Sequence, residues 1–223
     1  MTQTAATLLV TVVEDHELIA QSLSFALRSA GIDTVIPQLG QPGDVLDQIR
    51  GDRPDVVLLD LQLGGHIGDG EALIPALVEA GVPVIIVTSV TDRFRLAAAV
   101  EAGAVGILGK SERFEVLVDA VRRAAAGEHL VPVAQRQQML MDLRRHRAQE
   151  WTRTSMFQRL THREQQVLGA LCEGLAVDVI AEQWCISVAT VRSQVRAVLT
   201  KLNVNSQLTA VALVRKSGWT PPQ

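Results

Sequence analysis

The chain has 223 residues, of which 48% are hydrophobic and 20% are charged, and this balance is typical of a globular protein rather than a disordered one. No apolar run approaches the roughly 20 residues of a membrane-spanning helix, and the N-terminus lacks the basic start of a signal peptide, so we expect a cytoplasmic protein with no membrane partner. The length favours two domains, and the two cysteines, Cys172 and Cys185, are too few for a disulfide framework or a zinc site.

The net charge of −3 conceals an asymmetry between the two parts of the chain. Residues 1–135 contain nine lysines and arginines against eighteen aspartates and glutamates, whereas residues 136–223 contain twelve against six. The first part therefore carries a net charge of −9 and the second a net charge of +6. A basic second part points weakly to nucleic acid, although an ordinary solvated surface explains the charge equally well.

Short aliphatic runs alternate with amphipathic stretches over the first 127 residues. Strands are predicted at residues 7–13, 34–39, 55–59, 82–88 and 104–108. Helices are predicted between and after them at residues 16–31, 43–51, 69–81, 92–103 and 112–127. Several of these helices end in glycine, the usual C-terminal stop. Strands that are apolar on both faces and separated by helices form a parallel sheet covered on both sides. The pattern predicts an α/β domain with a five-stranded, doubly wound parallel sheet.

Polar side chains stand where the predicted strands end. They are Glu14 and Asp15 after the first strand, Asp60 after the third, Thr88 and Ser89 at the fourth, and Lys110 after the fifth. Each alone could cap a helix or lie in a solvated loop, but the carboxyl ends of parallel strands meet at one edge, where ligands bind. Clustered carboxylates favour a hard divalent cation such as Mg²⁺. With that cation and Lys110 neutralising a phosphoryl group, Asp60 on the central strand is the best-placed nucleophile to form an aspartyl phosphate.

The motifs VVEDH, VVLLD, VTS and GILGK resemble the flavodoxin-like receiver domain of bacterial two-component response regulators, over about residues 7–127. The resemblance implies a sensor histidine kinase as the phosphodonor. It also implies that Asp60 is the phosphoacceptor and that Lys110 binds the phosphoryl group. Thr88 would be the switch hydroxyl. Mg²⁺ would be bound by Glu14, Asp15, Asp60 and the backbone carbonyl of Gln62.

Two positions depart from the receiver pattern. The loop after Asp60 reads LQLGGHIGDGEAL, which lacks the usual Met-Pro turn and is slightly longer. Ile107 stands where the family usually has Tyr or Phe. The aromatic side chain that often reports phosphorylation is therefore absent. Either Thr88 signals through helix and loop movement alone, or phosphorylation is weakly coupled to output.

The strand pattern ends after Gly127, and the remaining sequence predicts helices and turns. The predicted organisation is a receiver domain at residues 1–130, a partly helical linker at 131–156 and a small all-α four-helix domain at 157–223. Thr161 and Glu164 form a predicted capping box at the start of this domain, and Gly174 ends its first helix.

The predicted helix at residues 187–202 has an apolar face and a polar face. The apolar stripe consists of Val188, Val191, Val195, Val198 and Leu202. The opposite side presents Arg192, Ser193 and Arg196 among small residues, which suits a helix in the major groove of double-stranded DNA, because arginine reaches guanine edges or phosphates. A solvated face is the ordinary alternative, but a preceding helix and short turn favour a helix-turn-helix.

Residues 160–213 resemble the four-helix LuxR-type DNA-binding domain, and with the receiver they match the NarL/FixJ class of response regulators. The resemblance implies base reading by Arg192, Ser193 and Arg196, DNA backbone contacts by Thr190, Gln194 and Lys201, and homodimer contacts by Leu208, Val211 and Ala212. Trp184 and Cys185 replace the usual Leu-Gly or Leu-Asn of the turn. We therefore expect Cys185 to adopt a positive φ, which it tolerates poorly.

The leading hypothesis is a phosphorylation-switched transcription regulator that binds paired DNA half-sites as a homodimer. A receiver-type regulator that binds DNA without phosphorylation control is an alternative, favoured by Ile107 and the altered loop. A more remote alternative is an aspartyl-phosphate phosphohydrolase. Gln62 stands where such enzymes often place a general acid, so we expect no enzyme activity beyond slow self-dephosphorylation.

Overall fold

The computed structural model describes residues 7–65 and 67–220, without the side chains of residues 152–154. Its contacts divide the chain into two compact units, with the boundary after Arg144. Among the described residues, no helix combines the length and the apolar character that a membrane span requires.

The first unit contains five parallel strands. They are β1 (Leu9–Val13), β2 (Asp33–Val35), β3 (Val56–Leu59), β4 (Val84–Thr88) and β5 (Gly106–Gly109). Their order in the sheet is β2-β1-β3-β4-β5, and every pairing is parallel. The predicted five-stranded, doubly wound sheet is confirmed. The winding reverses between β1 and β3, and ligands of such folds bind beyond the carboxyl ends of the strands at this point.

Five helices and one 3₁₀ helix connect or follow the strands. They are α1 (Glu17–Ser29), α2 (Pro42–Asp52), a 3₁₀ helix (Gly70–Leu73), α3 (Ile74–Glu79), α4 (Arg93–Ala102) and α5 (Phe114–Ala125). Two elements differ from their predicted bounds. β2 ends before Pro37, because proline has no N–H to donate to a neighbouring strand. The helix predicted at residues 69–81 becomes α-helical only at Ile74, where Pro75 occupies the first turn, a position that proline favours.

The aliphatic run of β3 is buried on both faces of the sheet. Val57 and Leu59 belong to one apolar cluster, and Val56 and Leu58 belong to the other. All four are at most 1% exposed. Successive strand residues point to opposite faces, and burying each aliphatic side chain contributes about 1.5–3 kcal/mol. This burial fixes β3 and places Asp60 at its carboxyl end.

A single helix of 26 residues, α6 (Val133–Gln158), covers nearly all of the segment that was predicted as a partly helical linker. The helix itself contains neither glycine nor proline and is rich in glutamine, arginine, methionine and leucine. These residues have high helix propensity. The segment is therefore more helical than the sequence analysis predicted.

The second unit contains four short helices packed around two apolar clusters. They are α7 (His162–Cys172), α8 (Val177–Gln183), α9 (Val188–Lys201) and α10 (Gln207–Ser217). The predicted capping box is present, because Thr161 and Glu164 each accept a hydrogen bond from the other's backbone amide. Ser187 caps α9 by accepting a hydrogen bond from the Thr190 amide. The predicted all-α four-helix domain is confirmed.

Candidate functional site

Three charged side chains meet at the carboxyl edge of the sheet. Glu14 and Asp60 directly follow β1 and β3, which pair so that Val13 lies opposite Leu59. Lys110 directly follows β5. Its Nζ lies 2.5 Å from Glu14 Oε2 and 2.7 Å from Asp60 Oδ2. The structure therefore brings these three predicted site residues together around one ammonium group.

The ammonium of Lys110 balances two buried carboxylates. The side chains of Glu14 and Asp60 are 2% exposed, and that of Lys110 is 13% exposed. Burial alone would lower the pKa of Lys110, but its hydrogen bonds to Asp60 and then Glu14 outweigh burial and raise the pKa. Lys110 therefore stays charged, and its removal would leave two buried carboxylates in mutual repulsion.

Asp15 and His16 lie on the other side of Glu14. Asp15 Oδ2 accepts a hydrogen bond from the Gly64 amide at 2.9 Å, and Asp15 Oδ1 lies 2.8 Å from His16 Nδ1. Burial alone would raise the pKa of Asp15, but the hydrogen bond from the Gly64 amide and the neighbouring His16 lower it below its usual value. His16 Nδ1 is also 2.9 Å from Glu14 Oε1, and this hydrogen bond, with the charge of Asp15, raises the pKa of His16. The sequence analysis did not select His16, although it directly follows the acidic pair.

Thr88 and Gln62 have other partners. Thr88 is 3% exposed at the end of β4, and its Oγ1 accepts a hydrogen bond from the Val90 amide. Gln62 forms an antiparallel bridge with Asp69. No hydrogen bond between described residues joins either Thr88 or Gln62 to Asp60. The switch role of Thr88 and the metal-binding role of the Gln62 carbonyl stay predictions.

The residues present fit a divalent cation. Asp60 Oδ1 is buried and accepts no hydrogen bond from any described residue, an arrangement that costs about 1–3 kcal/mol for a polar atom and more for a charged one. Glu14, Asp15 and His16 each offer one ligand atom, and these atoms lie within 4.8 Å of one another. Carboxylate oxygens at this density are ligands that hard divalent cations prefer.

The loop after β3 is held by hydrogen bonds from Arg95 and by a close backbone contact at Gly70. Arg95 on α4 donates hydrogen bonds to Asp69 Oδ1 at 2.8 Å and to the Leu61 carbonyl at 3.4 Å. Gly70 lies so close to the backbone that an added Cβ would be 2.0 Å from the carbonyl oxygen of Asp60, so only glycine fits there. The many glycines of this loop signalled an unusual backbone. Its attachment to Arg95 had no local sequence signal.

The polar side of α9 is exposed, as the DNA-reading prediction requires. Thr190, Arg192, Ser193 and Arg196 are all exposed. The buried side consists of Val191, Val195, Val198 and Leu202. The core assignment of Val188 was wrong: it is 36% exposed, because it lies in the first turn of α9 and belongs to neither apolar cluster of the unit.

Lys201 and Gln194 were predicted to contact the DNA backbone, and both are half-buried. Lys201 Nζ donates a hydrogen bond to Glu164 Oε2 at 2.6 Å and so joins the end of α9 to the first turn of α7. Burial alone would raise the pKa of Glu164, but the Lys201 ammonium and the Thr161 amide lower it below its usual value. Gln194 Oε1 is buried and accepts no hydrogen bond from a described residue. Lys201 therefore has a structural partner that the sequence did not reveal.

The three residues predicted to form dimer contacts lie on α10. Leu208 is 81% exposed, and Ala212 is also exposed. Val211 is half-buried and packs against an apolar cluster of its own unit. Leu208 therefore offers most of the free apolar surface of the three.

The turn before α9 contains a strained residue. Cys185 is exposed and has a φ of 52°, which confirms the predicted positive φ. A left-handed backbone costs a residue with a Cβ about 1–2 kcal/mol, whereas glycine adopts it freely but loses more conformational entropy on folding. We therefore expect Cys185→Gly to raise the free energy of unfolding of the second unit by about 0.5–1 kcal/mol.

Tryptophan fluorescence during denaturant unfolding of the full-length protein measures this effect. All three tryptophans, Trp151, Trp184 and Trp219, belong to the second unit and report its unfolding. Cys185→Ala is the matched control, because it removes the thiol but keeps the Cβ, and its midpoint should equal that of the wild type. A midpoint for Cys185→Gly at or below the wild-type value contradicts the strain at this position.

Two family models match the chain. The model of the response regulator receiver domain matches residues 10–122, which include the charged residues at the sheet edge. The model of the luxR family of bacterial regulatory proteins matches residues 158–214, which include α7, α8 and α9. Each match falls on one of the two predicted functional regions.

Several response regulators are similar to this chain over nearly its full length. The nitrate/nitrite response regulator protein NarP of Escherichia coli (strain K12) is 32% identical over 206 residues, which are 92% of this chain and 93% of that protein. The response regulator UvrY of the same strain is 29% identical over 210 residues, 94% of each chain. The solved RcsB response regulator of Salmonella typhimurium has a TM-score of 0.51 at 20% identity, covering 95% of this chain and 100% of that one, which is a likeness of fold.

Proposed function

Because the chain belongs to the bacterial response regulators that join a receiver domain to a LuxR-type DNA-binding domain, it is a DNA-binding transcription regulator, and we propose that phosphorylation of Asp60 switches its binding to DNA. One observation carries the proposal. Asp60 is buried beside Lys110 and Glu14, with one carboxylate oxygen held by an ammonium group and the other without a hydrogen-bond partner among the described residues.

The two oxygens of Asp60 are suited to different tasks. Oδ2 is held by Lys110 at 2.7 Å, so the carboxylate is oriented and does not need to be positioned during the reaction. Oδ1 accepts no hydrogen bond from a described residue, so it is the oxygen with a free lone pair for attack on phosphorus. Lys110 remains available to neutralise the charge on the phosphoryl oxygens as transfer proceeds.

Receiver domains take up Mg²⁺ at an acidic pocket, and we propose that Glu14, Asp15 and Asp60 hold it here, with the carbonyl of Gln62 as a further ligand. When bound, the cation supplies positive charge against the phosphoryl oxygens and relieves the repulsion between carboxylates. The Gly64 amide fixes the orientation of the Asp15 carboxylate by donating a hydrogen bond to Oδ2. Glu14 is oriented by Lys110 through its other oxygen.

A sensor histidine kinase is the proposed phosphodonor. The bond between phosphorus and the donor nitrogen breaks as the bond to the Asp60 oxygen forms, and the donor imidazole leaves with the electron pair. The Gln62 side chain carries no acid, so water attacking the aspartyl phosphate has no general acid-base partner at this position. We therefore propose no enzyme activity beyond slow hydrolysis of the chain's own aspartyl phosphate.

The proposed output surface is the exposed side of α9. Arg192 and Arg196 are separated by one helical turn and are both exposed, so both can enter one major groove. The net charge of +6 over residues 136–223 adds attraction to phosphates that is independent of sequence. We propose that the phosphorylated chain binds paired half-sites as a homodimer, with Leu208 in the contact between copies.

A DNA-binding regulator without phosphorylation control is the second candidate, and Ile107 favours it. This residue on β5 packs partly buried against an apolar cluster. It leaves the position without the aromatic ring that could report the state of Asp60. In this case the DNA affinity would be the same with and without a phosphoryl group.

The test measures DNA affinity of the full-length protein by fluorescence anisotropy, on fragments enriched by this protein from a random-sequence library. Beryllofluoride with Mg²⁺ mimics the phosphorylated state. We expect the wild-type Kd to fall at least tenfold, within the usual range of coupling between two sites. Asp60→Asn should show no change.

The exposed Asp47 on α2 offers a matched control, because Asp47→Asn changes the charge equally away from the site. This variant should respond like the wild type. An equal response of wild type and Asp60→Asn would show that the switch is not at Asp60. A wild type that does not respond would support the second candidate.

A further inference from the structure

His16 completes a compact group of three potential metal ligands with Glu14 and Asp15. We propose that His16 is itself a ligand of the cation site, through Nδ1, and that it makes the site prefer transition-metal ions such as Ni²⁺ over Mg²⁺. This inference rests on the proposed cation site of the receiver, and it assigns a residue to that site and a selectivity that follows from its chemistry.

Two of the spacings among the three ligand atoms match those of an octahedral ion. His16 Nδ1 lies 2.9 Å from Glu14 Oε1 and 2.8 Å from Asp15 Oδ1. Neighbouring ligands of an octahedral ion with bonds of about 2.1 Å are about 3.0 Å apart. A cation between His16 Nδ1 and the two carboxylate oxygens would therefore need no large rearrangement of side chains.

A second observation marks this region as a cation site. Asp60 is 2% exposed, and its Oδ1 accepts no hydrogen bond from a described residue. Its other oxygen shares the Lys110 ammonium with Glu14 Oε2. Glu14 therefore directs one oxygen to the ammonium and the other to His16. A cation beside His16 would bind the oxygen of Glu14 that Lys110 does not hold.

The chemistry of imidazole sets the selectivity. Mg²⁺ prefers oxygen ligands and water, whereas imidazole nitrogen suits Ni²⁺ and other transition-metal ions. Two carboxylates alone would discriminate less between these ions. A nitrogen ligand added to them strengthens binding of transition-metal ions and adds little for Mg²⁺. The side chain of His16 is 65% exposed, which leaves room for the waters that fill the remaining positions of the ion.

Pulsed electron paramagnetic resonance of the untagged, full-length protein loaded with Mn²⁺ at pH 8 tests direct ligation. The ¹⁴N nucleus of a coordinated imidazole modulates the electron spin echo. We expect this modulation in the wild type and its loss in His16→Gln. Calorimetry of the same proteins should show that the ratio of Ni²⁺ to Mg²⁺ affinity falls at least tenfold in His16→Gln, while the Mg²⁺ affinity changes less than threefold.

His129→Gln and His66→Gln control for other imidazoles, and both should keep the modulation. Asp15→Asn should lose binding of every ion. If His16→Gln keeps the nitrogen modulation and the affinity ratio, His16 is only a hydrogen-bond partner of the carboxylates and the proposal is overturned. Phosphoryl incorporation in Mg²⁺ by the wild type and by Asp60→Asn tests the proposed function separately, because this comparison leaves His16 unchanged in both proteins.

Discussion

Lys110→Gln will lower the rate of phosphoryl incorporation from acetyl phosphate by about 100-fold or more. The ammonium of Lys110 orients Asp60 Oδ2 at 2.7 Å and lies beside the carboxylate that is proposed to take up the phosphoryl group. Removing one preorganised electrostatic partner of a transition state typically costs 10²–10³ in rate. Glutamine keeps hydrogen-bonding capacity on a side chain that is one atom shorter, but it lacks the charge. Mass spectrometry of the intact protein at timed intervals measures the rate.

Mg²⁺ affinity separates this effect from simple misfolding. Without the ammonium, Glu14 and Asp60 repel each other and attract a divalent ion more strongly, so Lys110→Gln should bind Mg²⁺ more tightly than the wild type. Lys216→Gln on α10 is the matched control, and it should change neither the rate of phosphoryl incorporation nor the Mg²⁺ affinity. Wild-type phosphorylation kinetics in Lys110→Gln would contradict the role of the ammonium.

Arg196→Ala will weaken specific DNA binding by roughly 10-fold to 100-fold, and Arg192→Ala will have an effect of similar size. Both side chains are exposed on the face of α9 opposite Val191 and Val195, which are buried. A bidentate contact between arginine and a base contributes about 1–3 kcal/mol of discrimination. Each variant should therefore also lose its preference at the base pair that its arginine contacts, so that substitution of this base pair weakens binding little further. Anisotropy titrations on a panel of single-base variants of the selected site measure both properties.

Arg215→Ala is matched in charge to these variants and lies on α10. It should alter the affinity less than threefold. A contact with phosphate alone would weaken binding evenly across all DNA sequences and reduce its salt dependence. An even loss of this kind for both Arg192→Ala and Arg196→Ala would contradict base reading by α9.

The sheet and the positions of its strand ends could be predicted because their signals are local. The aliphatic residues of β3 are buried on both faces, so the uninterrupted apolar run itself indicates a central parallel strand. The bounds of β2 were less predictable. Its predicted residues continue past Pro37, but the chain leaves the sheet after Val35, because proline cannot donate to the ladder.

The contacts that escaped prediction join residues distant in the sequence. Arg95 binds Asp69 across 26 positions, and Lys201 binds Glu164 across 37. No periodicity or motif specifies such pairs, since they depend on how completed elements pack. Val188 was assigned to the core from helical spacing alone, which does not tell where along α9 the neighbouring clusters end. Cys185 was predictable because its positive φ is a local property of the turn.

Simultaneous measurement of phosphorylation and DNA affinity in one sample tests the central claim most directly. Aliquots taken during reaction with acetyl phosphate and Mg²⁺ would be analysed by peptide mass spectrometry for the fraction phosphorylated at Asp60, and by anisotropy for Kd on the selected DNA. We predict that DNA affinity rises in step with phosphorylation of Asp60 and returns as the phosphoryl group is lost. An unchanged Kd in a sample fully phosphorylated at Asp60 would contradict the account.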